Sequence, residues 1–139
     1  MEWLKYFFSK GAKNTLALKN GTNFSYVGPW QKLAGLPIET RLDRWHLGEF
    51  CAVEYSIVAD YDTFNREIIK CIVTAGKNTA DLTVYGRSNL GQHILEVKAT
   101  VNNSYVDLIV TPQEEDSTDM AGAKVLFQAT YFKTINPPV

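Results

Sequence analysis

The sequence predicts an all-β domain, built as an antiparallel β-sandwich or a partly open barrel. Residues 49–60, EFCAVEYSIVAD, carry the first sign. Cys51, Val53, Tyr55, Ile57 and Ala59 fall on one parity and Phe50, Ala52, Glu54, Ser56 and Val58 on the other, as in a strand with one buried face. The second sign is recurrence: similar runs follow at residues 65–74, 79–85, 93–101, 105–111 and 124–132. The third is punctuation. Turn-forming stretches at residues 60–65, 76–78, 86–91, 102–104 and 112–122 are too closely spaced for the crossover helices of βαβ units.

Residues 2–9, EWLKYFFS, set Trp3 beside Phe7 and Leu4 beside Phe8 at i, i+4. That spacing predicts a short helix with one aromatic face, stopped by Gly11. So short a helix is marginal alone and must dock on something. Residues 14–37 lack a sustained period; TLALKNG suits a strand and a turn, and FSYVGPWQKLAGLP is broken at Gly28-Pro29 and at Pro37. We therefore expect residues 1–35 to form an N-terminal arm or cover, and residues 36–139 a sandwich domain with an extended tail, INPPV.

Within that domain, Leu42, Trp45 and Leu47 lead into the organising strand. VNNSYVDLIV predicts a hairpin with Val97, Ala99 and Val101 opposite Val106, Leu108 and Val110. If Asp60 pairs with Arg66, Cys71 falls opposite Tyr55 and Cys51 opposite Ala75. The four-residue offset is about 13 Å at ~3.3 Å per residue, whereas a disulfide needs Cα atoms within about 7 Å. Both cysteines are expected to be reduced core residues. The expected core is Val53, Tyr55, Ile57, Ile69, Val73, Leu82, Val84, Val97, Val106, Leu108 and Val110.

A chain of 139 residues is most simply one domain. A net charge of −1 supplies no global field toward nucleic acid or membrane; local basic stretches are confined to residues 5–13, residues 41–44 and Lys133. No run approaches the roughly 20 apolar residues that span a bilayer. Lysines inside MEWLKYFFSKGAKN make it a poor signal peptide, so the Asn-x-Ser/Thr matches at Asn20, Asn23 and Asn102 carry little weight.

Residue patterns for chemistry are sparse. His46 and His93 are far apart in sequence and lack metal-ligand spacing, so each reads as a solvent-facing polar residue or a hydrogen-bonded side chain. PQEEDSTDM supplies Glu114, Glu115, Asp116 and Asp119 without the spaced Asp and Gly of an EF-hand loop. Gly86-Arg87-Ser88-Asn89-Leu90-Gly91 departs from Gly-x-Ser-x-Gly and joins two expected strands, which makes it a hairpin connection. Nothing favours paired carboxylates for glycoside hydrolysis. No enzyme activity, cofactor or metal is expected. Two surfaces remain. Trp3, Leu4, Phe7, Phe8, Phe24, Tyr26 and Trp30 suit an assembly interface, unless they fold back to cap their own sandwich. Alternatively, Trp30, Trp45 and Tyr85 would stack on a sugar ring, with plugging of the sheet ends as the competing role.

In order, LPIETRLDRWHLGEFCAVEYSIVAD, NREIIKCIVTA, DLTVYGRSNLG and VNNSYVDLIVTP resemble a β-rich module of virion proteins from contractile-tailed, cyanophage-like bacteriophages. The shared features are a Leu-x-x-Trp lead-in, the Glu54-Tyr55 core pair, Ile-Val-Thr-Ala at a strand end, Tyr85-Gly86, and an Asn-rich hairpin before Leu-x-Val-Thr-Pro. They cover roughly residues 36–112. The resemblance implies a virion structural protein made in a bacterial cytoplasm, in keeping with reduced cysteines. Its expected partners are other virion proteins and copies of itself, in the tail, baseplate, fibre base, neck or capsid surface. Neither nucleic acid nor membrane is expected as a partner. A host glycan is one only in the alternative role, a carbohydrate-binding adhesion module.

Overall fold

A computed structural model describes residues 15–17, 23–113 and 120–136. Its strands are β1 (Thr15–Ala17), β2 (Asn23–Val27), β3 (Gln31–Lys32), β4 (Thr40–His46), β5 (Phe50–Asp62), β6 (Asn65–Ala75), β7 (Ala80–Leu90), β8 (Leu95–Asn102), β9 (Tyr105–Pro112) and β10 (Lys124–Lys133). The larger sheet runs β1-β2-β10-β5-β6-β7, with β3 also paired to β10; the smaller runs β4-β9-β8. All pairings are antiparallel, and neither sheet closes on itself, as a β-sandwich requires. The expected N-terminal helix lies outside the described residues.

The predicted parity holds where two layers meet. Val53, Tyr55, Ile57 and Ala59 of β5 are buried with Ile69, Cys71 and Val73 of β6 and Val125, Phe127, Ala129 and Tyr131 of β10. Leu42, Trp45, Val106, Leu108 and Val110 of the smaller sheet complete the core. The predicted pairs Asp60–Arg66 and Tyr55–Cys71 are in register. So are Val97–Val110, Ala99–Leu108 and Val101–Val106. That hairpin turns through Asn103 and Ser104, both at positive φ, as a two-residue type I′ connection requires. Both cysteines are free, Cys71 in the core and Cys51 only half-buried.

Four expectations change. Residues 86–91 are not a turn: β7 continues through Gly86 to Leu90, with a register shift opposite Lys70 and Cys71. A glycine inside a strand marks a bulge as readily as a turn. Val84 is exposed and Leu82 half-buried because β7 is an edge strand that the three-stranded sheet does not cover. Val97, on the edge strand β8, is also half-buried. The lead-in at residues 40–46 is itself a strand, paired with β9 and bulged between Arg41 and Asp43. Within residues 1–35, β2 and β3 pair with β10, and Tyr26 and Leu33 enter the core.

Two buried carboxylates tie the layers together. Asp43 accepts hydrogen bonds from Tyr55 Oη at 2.8 Å and Tyr131 Oη at 2.6 Å, while Trp45 Nε1 donates to Tyr55 Oη at 3.0 Å. Burial, then the Asp43 charge, raises the Tyr55 hydroxyl well above its ordinary range. Glu67 accepts from Leu95 N at 2.9 Å and Arg87 Nη1 at 3.0 Å, and also contacts His93 Nδ1. It thereby fixes the passage from β7 in one sheet to β8 in the other.

Candidate functional site

The opposite face of the larger sheet has no second layer among the described residues. Leu126, Val58 and Ile68 sit side by side in register on β10, β5 and β6. Each remains substantially exposed, at 37%, 39% and 38%. They are the even-parity partners of core residues, so the same alternation that builds the interior leaves an apolar row outside. Beyond this row lie Lys124, Asp60, Arg66 and Leu90, again in lateral register. Between the rows, Val58, Arg66, Glu67, Ile68, Ser88 and Leu90 line a shallow groove of about 340 Å³.

The β5–β6 hairpin ends beside that groove and displays Phe64, 76% exposed. Its turn is braced. Asp62 Oδ1 accepts from Phe64 N at 2.8 Å and Asn65 Nδ2 at 3.1 Å, and Asn65 Oδ1 accepts from Gln92 N at 3.0 Å. The Phe64 N–H holds the Asp62 carboxyl below its usual range, helped by Asn65. Gly91, at φ +73°, passes so close that a Cβ there would lie 2.2 Å from the Phe64 carbonyl. The hairpin tip is therefore an aromatic projection on a braced backbone, with Tyr61 exposed three residues before it and Leu90 exposed opposite Arg66.

The residues singled out from sequence scatter. Trp3, Leu4, Phe7 and Phe8 lie outside the described residues. Phe24 is in register with Tyr131 on β10, and Tyr26 packs in the core, tilted against Phe127. Trp30 is exposed, with the Lys124 ammonium 4.8 Å from its ring centroid. Trp45 is buried. Tyr85, on β7, faces Glu54; partial desolvation and then that carboxylate push its hydroxyl up. Lys124 and Tyr85 stand on strands three places apart, about 14 Å at ~4.8 Å per strand. Trp30, Trp45 and Tyr85 thus form no common stacking platform. The groove and Phe64 had no sequence signal beyond the even parity of β5 and β6, because a groove needs lateral neighbours that sequence does not name. Among the described residues no group of three His, Cys, Asp or Glu side chains is placed to hold a metal ion.

No protein-family model and no curated protein matches this chain. Among solved structures it is similar to the tailspike protein of Acinetobacter baumannii phage AM24, with a TM-score of 0.48 and 10% identity. The match covers 81% of this chain and 26% of the tailspike chain, so this chain spans about a quarter of that protein's length.

Proposed function

We propose that the protein is a structural component of a tailed-phage particle that acts by burying surface against neighbouring proteins. The observation that carries this reading is the exposed row of Leu126, Val58 and Ile68, continuous with a groove and a braced aromatic tip. Contiguous apolar surface beside rigid anchors is what protein–protein contacts use. The resemblance of residues 36–112 to modules of contractile-tailed phages supplies the setting, a virion made in a bacterial cytoplasm. Other virion proteins and further copies of the chain are the partners, and no catalytic step is assigned.

The test is the composition of purified particles. Wild-type protein should co-purify with virions at a fixed stoichiometry. Ile68→Asp, which charges the row without touching the core, should leave the protein folded but strongly deplete it from particles. Absence of the wild type from particles, or undiminished incorporation of Ile68→Asp, would overturn the reading.

A further inference from the structure

We infer that the partner on this surface is a second copy of the chain, related by a two-fold axis, with Phe64 of each copy seated in the other's groove. The inference rests on the assembly reading and names its partner. A projection and a shallow recess lie close together here: Phe64 is two residues from Arg66, a wall of the groove. That arrangement is self-complementary. In an isologous pair the operator that puts one projection into the partner's recess puts the other back into the first.

Size and chemistry agree. A cavity of about 150 Å³ holds a benzene ring, and the groove offers about 340 Å³. Val58, Ile68 and Leu90 supply apolar walls. The Arg66 guanidinium, held by Asp60 at 3.0 Å, presents a cation to an incoming ring. Bracing by Asp62, Asn65 and Gly91 fixes the Phe64 backbone before contact, which lowers the ordering cost of association. An aromatic side chain brings about 150–250 Å² to a contact. Two such rings and the walls they cover remove on the order of 600 Å², and the exposed Tyr61 and Leu126 extend this toward the roughly 1,200 Å² of small specific interfaces.

Sedimentation and native mass spectrometry of the full chain test this with two variants. Phe64→Ala removes the projection, and Ser88→Trp fills the recess. The wild type should be dimeric. Each variant should keep the wild-type fold by circular dichroism and associate at least tenfold more weakly. An equimolar mixture, in which one copy retains the projection and the other the recess, should form a heterodimer that neither variant forms with itself. A monomeric wild type, an undisturbed Phe64→Ala dimer, or a mixture without heterodimer would overturn the inference. A monomeric protein that still enters particles removes self-docking alone. A Phe64-dependent dimer absent from particles removes the virion reading alone.

Discussion

The two faces of the larger sheet are made from the same strands and differ only in parity. On the inner face, Ile57 and Ile69 pair across β5 and β6 and are fully buried. One residue along, Val58 and Ile68 pair in the same way and remain more than a third exposed. Hydrophobicity of the residue therefore does not distinguish the faces; the presence of β4, β8 and β9 on one side does. Chemically similar pairs should consequently divide into one set that holds the domain together and another that is available to a partner.

The largest effect should come from the carboxylate that joins the layers. Glu67→Ala strips the buried Leu95 N–H of its acceptor and leaves the partly exposed Arg87 with the Leu95 carbonyl at 3.2 Å, and should cost about 3–4 kcal/mol, toward the low end for removal of one member of a buried charged network. Chemical denaturation would read it, and a loss below 1 kcal/mol would mean that the passage from β7 to β8 is held by packing alone. Ile57→Ala should follow at about 3 kcal/mol through lost burial and the cavity left behind. Its outer neighbour, Val58→Ala, should cost under about 1 kcal/mol, since exposed positions tolerate truncation. Equal losses at positions 57 and 58 would erase the division between the faces.

Thiol reactivity sharpens the comparison without altering the fold. Burial pushes the Cys71 thiol up to about 12, so it stays protonated and inert at neutral pH. Iodoacetamide should modify half-buried Cys51 in the native protein and reach Cys71 only after denaturation; native labelling of both would place β6 outside the core. The smallest effect concerns the hairpin tip. Because the folded Asp62 carboxyl is held below its ordinary range, its stabilisation is complete above about pH 4 and fades as pH falls through the lower folded value. Amide exchange at Phe64, corrected for intrinsic pH dependence, should lose protection over that acidic interval. Asp62→Asn should abolish the change.

Much of the inner face was legible in the sequence, and for an identifiable reason. A short loop between two alternating runs leaves few registers, and only one puts Val53, Tyr55 and Ile57 beside Ile69, Cys71 and Val73. Bulges defeated the same logic elsewhere. The shift at Leu42 and Asp43 buries two consecutive residues and hides β4, and Gly86 imitates a turn in the middle of β7. Tyr26 joins the core only because β2 lies beside β10, roughly a hundred residues away, and alternation carries no information about so distant a neighbour. The groove was hidden likewise, since it exists between β5, β6 and β7 rather than along any one of them.

The position of β10 carries a consequence for how the chain is made. It is the last described strand to be synthesised, yet it occupies the gap between β2 and β5. Asp60 and its partner Lys124 are separated by roughly sixty residues, about 3–12 s of translation at 5–20 residues per second. For that interval the nascent chain presents an unpaired β5 edge, and β2 has no neighbour to join it to the rest. Completion of the larger sheet is thus a late insertion, and variants that weaken β10 should reveal themselves first as lost soluble yield during synthesis.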